Sequence, residues 1–210
     1  MNAAPGPRWI DVDPARMPRW VDGFAERHGG APALTVAGGA LTLVAPDGAV
    51  AVCHAPPGLP SPSTVADLAR EAVGPLGLLL ARRAGYAVGV AEGLKLASSK
   101  VDSRYVQSRT AAGGWSQQRF ARRRDNQAKA AAGEAADECV RLLVPAVARL
   151  TAVVTGGDRP MVDAVLADPR LAGLRPLVAG RFLAVPNPKR TVLEDAVRSA
   201  RSVRIKLTDP

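Results

Sequence analysis

Cysteine and histidine are scarce. The chain holds two of each, Cys53, Cys139, His28 and His54, and the cysteines lie far apart, without a CxxC spacing or a ligand cluster. A zinc site is therefore not expected. Cys53 and His54 adjoin at the end of a strand-like run, where neighbouring side chains point to opposite faces, so they are not placed to act together. Ordinary reduced thiols suit a cytoplasmic protein. The N-terminus MNAAPGPRWIDVDP lacks an apolar signal core, and hydrophobic runs such as GPLGLLLA are too short to span a bilayer, so no membrane role is expected. Also missing are a GxxxxGK[ST] phosphate loop and the second glycine that would make GWSQQ a nucleophile elbow. A Ser-His-Asp triad has no local signature. Neither a cofactor nor a metal is expected, although scattered carboxylates leave a metal-dependent nuclease open on spacing alone.

Apolar bulk and positive charge are what the chain does have. With 47% hydrophobic residues, its 210 residues are enough for one sizeable core with room for a small lobe. The net charge of +9 points to a polyanionic partner. Most of that charge is concentrated between Lys95 and Lys129, where Lys95, Lys100, Arg104, Arg109, Arg119, Arg122, Arg123, Arg124 and Lys129 face only Asp102 and Asp125. Such concentration favours a nucleic-acid-facing surface over general basicity.

The pattern of apolar residues predicts an α+β, layered fold with a mixed sheet flanked by helices. An amphipathic helix should run from Pro18 to Gly29, with Trp20 and Phe24 on one face, followed by short strands turning at Gly38-Gly39 and at Pro46-Asp47-Gly48. Ser63 or Thr64 should cap a helix reaching about Val73. LGLLLARR, YAVGVAEG and SRYVQSR then read as three strands, the first two joined at Ala84-Gly85. From Ser116 to about Ala148 a long helix is expected, with a stripe of Ala128, Ala132, Ala135, Cys139, Leu142, Leu143 and Ala146 lying against a sheet. At about 100° per residue, Arg119, Arg122 and Arg123 point away from that stripe and Arg124 falls nearer its edge. Strand LTAVVTGG, helix MVDAVLAD, strand RFLAVPNP, helix TVLEDAVRSA and strand SVRIKL complete the chain. The expected division is a helix-and-meander extension over residues 1–75 and a second domain over 76–210.

The run GGWSQQRFARRRDNQA resembles the catalytic segment of the middle domain of archaeal and eukaryotic class I peptide-chain release factors. There a GGQ loop precedes a helix that begins much like Arg119-Phe120-Ala121-Arg122. The flanks LGLLLARRAGYAVGVAEG and LTAVVTGGDRPMVDAVLADPRL match that domain's strand-turn-strand and strand-helix units, so the resemblance covers Leu76 to Leu207, about two thirds of the chain. The run is more similar still to the Vms-like release factor branch, in particular its actinobacterial peptidyl-tRNA hydrolases, whose loop carries Gly, Ser and Gln together. Aligned without a gap on GGQ, Trp115 occupies the glutamine's position. The Vms-like pattern instead makes Gln117 the equivalent and Gln118 the reserve.

The resemblance implies cleavage of the ester between nascent peptide and tRNA on stalled ribosomal large subunits. Peptidyl-tRNA and ribosomal RNA would be the partners, with no DNA and no membrane. The candidate catalytic set is Gln117, Gln118, Gly113, Gly114 and Ser116, and Ser116 reads better as a helix N-cap than as a nucleophile. The RNA-contact set is Trp115, Arg109, Arg119, Arg122, Arg123, Arg124 and Lys129, in which Trp115 either stacks on a base or is partly buried. No separate codon-reading domain is visible, which favours rescue over normal termination. The competing reading is a noncatalytic RNA- or ribosome-binding module using the same basic helix.

Overall fold

The structure, a computed structural model, describes residues 6–103 and 116–210; the side chains of 103 and 116–126 lie outside the description. In chain order the elements are β1 (Arg8–Val12), α1 (Met17–Arg27), β2 (Ala33–Ala37), β3 (Ala40–Val44), β4 (Val50–His54), α2 (Val65–Leu68), β5 (Leu76–Arg82), β6 (Gly85–Glu92) and β7 (Lys95–Ser103). They continue with α3 (Ser116–Leu142), β8 (Ala152–Gly157), α4 (Arg159–Leu166), β9 (Val178–Leu183), α5 (Arg190–Arg201) and β10 (Val203–Thr208). The fold is α+β, and its strands form two five-stranded sheets. Two compact units divide the chain: Met1–Val73 with Arg198–Pro210, and Gly74–Val197.

The first unit carries an antiparallel sheet in the order β1-β10-β4-β3-β2. Its apolar face alternates along β3, β4 and β10, so Leu41 and Leu43, Ala51 and Cys53, and Val203, Ile205 and Leu207 all reach one core. Met17 and Phe24 of α1 close that core, and Trp20 stacks on Phe24 at 5.6 Å between ring centroids. Cys53 is buried while His54 stands on the opposite side of the strand, as its neighbouring position requires. Helix α2 is far shorter than expected. Leu68 is buried, but Glu71 and Val73 are exposed or partly so, and Val73 is 83% exposed, so a second turn would gain no apolar cover for its backbone cost.

The closing strand does not join the second domain as expected. Ile205 pairs with Ile10 on one side and with Cys53 on the other, which sets β10 between β1 and β4 in the first sheet. Strand β1 itself was not foreseen, because RWIDV is short and has little alternation.

The second unit holds a mixed sheet, β7-β6-β5-β8-β9, in which β5 and β8 and then β8 and β9 run parallel. Leu79, Ala81, Tyr86, Val88, Val90 and Val153 form one face of it and meet α3 and α4. The opposite face is met by α5, whose Leu193 comes against Gly89. Three expectations need correction here. The third strand of the sheet begins at Lys95, earlier than expected, and is described to Ser103, because the chain turns back at Gly93-Leu94, with Gly93 at φ +57°, and pairs at once as Glu92 with Lys95; residues 104–109 of the expected SRYVQSR lie outside the described residues. Helix α3 stops at Leu142, since Pro145 has no N–H to give and its ring would meet the carbonyl of Arg141; a 3-10 turn over Val144–Ala146 follows. Strand β9 ends at Leu183, ahead of Pro186 and Pro188, which cannot continue a ladder.

Candidate functional site

Helix α3 carries the candidate residues from Ser116 onward, and its C-terminal half explains how it is held. Ala131, Ala132, Ala135, Ala136 and Cys139, with Leu143 just past the helix end, are buried against the sheet; of the expected stripe Ala128 and Leu142 are only partly buried, and Ala131 and Ala136 are added. Methyl-sized side chains let the helix axis approach the strands closely, so the helix is fixed by dispersion contacts over a long seam. Gly77 supports the same approach, because a Cβ there would lie 3.5 Å from Leu143 Cδ2 and 3.1 Å from Val153 Cγ2. Arg170 ties the far side down, with Nη2 2.7 Å from Asp137 of α3 and 2.7 Å from Asp168.

The N-terminal part of α3 contains Ser116, Gln117, Gln118, Arg119, Arg122, Arg123 and Arg124, all helical in backbone, with side chains outside the described residues. Ser116 is the first residue of the helix. Arg109, Gly113, Gly114 and Trp115 fall in 104–115 and also lie outside them. Of the residues singled out for RNA contact, Lys129 alone has a described side chain, and it is exposed. Burial drives the Cys139 thiol up to about 12 and does the same to Cys53, so neither yields a thiolate nucleophile near neutrality. His28 donates from Nδ1 to Asp47 Oδ2 at 2.8 Å in the first unit and rests on the Phe24 ring. Among the described residues, no group of three or more His, Cys, Asp or Glu is placed to hold a metal ion, and no helix is long and apolar enough to cross a membrane.

Residues 74–206 match the family model of the Actinobacteria/chloroflexi VLRF1 release factors. The chain belongs to this family. The match starts where the second unit starts and takes in the whole of α3, so the basic helix of this VLRF1-family chain is part of the family's own domain. The chain is also similar to the crystal structure of an archaeal translation termination factor, aRF1, at 18% identity and a TM-score of 0.45, over 75% of this chain and 48% of that one. A second similar structure, described as an archaeal protein, shows 16% identity and a TM-score of 0.39, over 73% and 48% respectively. The chain thus spans about half the length of these two proteins. No curated protein matches it.

Two cations that sequence reasoning passed over belong beside the VLRF1-family helix. Arg83 and Arg159 line a crevice together with Lys129. Both follow closely on strand ends, in LGLLLARR and in LTAVVTGGDR, and that position was the available signal. In a sheet with parallel strands, the carboxyl ends open on one side and bring such residues together.

Proposed function

We propose that this release-factor relative is a cytoplasmic peptidyl-tRNA hydrolase that frees nascent chains from tRNA on stalled ribosomal large subunits. The observation that carries the reading is α3: a helix seated firmly on its sheet begins at Ser116, just past Gly113-Gly114 in sequence, with Gln117 and Gln118 in its first turn, inside the stretch matched to a release-factor family. The concentration of cations in the same helix supports it. Arg109, Arg119, Arg122, Arg123, Arg124 and Lys129 would neutralise phosphates of tRNA or ribosomal RNA without reading sequence, and Trp115 would stack on a base.

Hydrolysis of the ester requires a water oxygen to attack the carbonyl carbon, negative charge to develop on the carbonyl oxygen, and the ribose oxygen to leave with a proton. An amide can do much of this without being a base. The Gln117 side chain, with Gln118 in reserve, would accept a hydrogen bond from the water or donate one to the developing oxyanion. Gly113 and Gly114 would let the backbone enter a narrow RNA-walled cavity, and Ser116 would hold the helix start.

The test is release of labelled peptide from large subunits carrying peptidyl-tRNA. A Gln117→Ala, Gln118→Ala double variant is expected to lose about 100- to 1000-fold in rate while still binding subunits. Undiminished release by that variant would remove the chemistry. Salt-sensitive binding by the intact protein with no ester cleavage at all would favour the noncatalytic RNA-binding reading. Metal-dependent scission of the RNA would instead point to a nuclease.

A further inference from the structure

The crevice lined by Arg83, Lys129 and Arg159 lies in the second unit, with a volume of about 630 Å³. It is built where β5 and β8 end side by side and α4 begins. Gly157 makes the junction possible: its φ is +103°, and a Cβ there would collide with the Ala81 carbonyl oxygen, so only glycine brings the end of β8 so near β5. Asp158 N then donates to the Ala81 carbonyl at 2.8 Å, and the chain turns into α4.

Three cations and one carboxylate line the space. The carboxylate is already engaged, since Asp158 accepts from the Arg83 backbone N–H at 3.3 Å and pairs with Arg82 Nη2 at 3.3 Å. Arg82 in turn donates from Nη1 to the Val185 carbonyl at 2.7 Å, so it is a strut for the crevice and not a lining cation. Arg159 lies over the Phe182 ring at 4.3 Å, which occupies its face but not its N–H groups. Arg83 and Lys129 have no carboxylate partner among the described residues. What remains is a concave surface of uncompensated positive charge, the arrangement that concentrates an anionic ligand.

The remaining lining tells against a nucleobase or a free nucleotide as occupant. Ala128, Pro160, Met161 and Ala164 offer no aromatic ring to stack on and no side-chain amide or hydroxyl to read a base edge. The space is also open and wider than one small anion needs. A run of sugar-phosphate backbone meets both conditions. The crevice lies on the same side of α3 as one of its basic positions, because Lys129 follows Arg122 by seven residues, close to two full turns and about 10 Å along the helix.

We propose that this crevice is a second contact of the protein with RNA, holding backbone phosphates of a strand that passes from the N-terminal turns of α3 across Lys129 to Arg83 and Arg159. The proposal rests on the RNA-directed reading of α3 given above. It adds two contacts that lie on neither the glycine segment nor the helix, and it makes the interface longer than a tip.

The experiment measures affinity of the full chain for purified deacylated tRNA and for isolated large subunits, as a function of salt between about 50 and 200 mM. Arg83→Glu is the principal variant, since Arg83 is exposed and its replacement should leave the melting temperature unchanged; the second is Arg83→Gln with Arg159→Gln. Both are expected to weaken binding to each probe, by roughly tenfold for the double variant, and to reduce the slope of log K against log salt by about one for every phosphate that is no longer neutralised. If both variants bind as the parent does while Arg122→Gln, Arg123→Gln binds more weakly, the crevice is overturned and the helix reading stands. Weakened binding to subunits with unchanged binding to naked tRNA assigns the contact to ribosomal RNA if protein-free ribosomal RNA shows the same loss, and overturns the proposal if that RNA binds the variants as it binds the parent. A parent protein that shows no salt-sensitive binding to either probe removes the crevice and the RNA interface together.

Discussion

Asp67 illustrates what one side chain does when a helix is a single turn long. Its Oδ2 accepts from the Ser63 hydroxyl at 2.8 Å and backbone at 3.0 Å, and from both the hydroxyl and the backbone of Thr64 at 2.9 Å, while its own N–H donates to Thr64 Oγ1 at 3.1 Å. This is a closed capping box. The donors, led by the Ser63 hydroxyl, favour the ionised form and hold its carboxyl well below the ordinary 3.8. Because the folded-state pKa is depressed, the stabilisation is complete above the unfolded value and is lost as the pH falls from about 4 toward the folded one. Asp67→Asn should therefore lower the urea midpoint near neutrality and flatten its decline below pH 4; equal pH profiles for the two proteins would deny the box that role. The cap was legible in SPSTVADL, since a cap is a local device. The convergence of Arg83 with Arg159 was not, because it depends on β5 and β8 lying parallel and adjacent, which neither segment declares alone.

At the scale of the element, α3 depends on small side chains. Ala135 is fully buried in the seam, so Ala135→Leu adds volume to a closely packed contact and should cost about 1–3 kcal/mol in urea denaturation. It should also shift the helix outward and slow peptide release, whereas a substitution at exposed Asp137 of the same helix would not press on the sheet. If Ala135→Leu unfolds at the parental midpoint, the seam is looser than its burial implies. The helix was readable in advance from three- and four-residue spacing, and so was the hairpin of β5 and β6, whose residues are almost all apolar and lie in a doubly covered sheet. Strand β7 was misread because KLASSKVDS is an edge strand with one neighbour, and its polar residues look like a loop until pairing with β6 is known. Helix α2 erred in the other direction: local propensity promised more turns than there was apolar surface to cover.

For the whole molecule, the decisive fact is that sequence order and spatial order part company at the end of the chain. SVRIKL reads as a strand in the sequence, but its residues do not name the sheet that receives it. The observed register puts Ile205 between Ile10 and Cys53, fully buried. Ile205→Ala should then cost about 2–5 kcal/mol, and hydrogen exchange should locate the weakening in β1, β4 and β10 while β5, β6 and β8 keep their protection. Reduced protection in β5 and β8 with β1 and β4 spared would contradict the assignment.

The position of β10 also bears on how the chain is made. β1 finds its hydrogen-bonding neighbour in residues 203–207, which are synthesised after the whole stretch from Asp13 to Ser202. While translation is under way, Arg8–Val12 therefore has no ladder to join, and β4 shows an open edge on the side that β10 will later fill. The segment from Gly74 onward contains all five strands of its own sheet by Leu183 and can close earlier. A nascent copy should thus complete the sheet of β5 to β9 before that of β1 to β4, with Arg8–Val12 waiting for Val203–Leu207 to clear the exit tunnel.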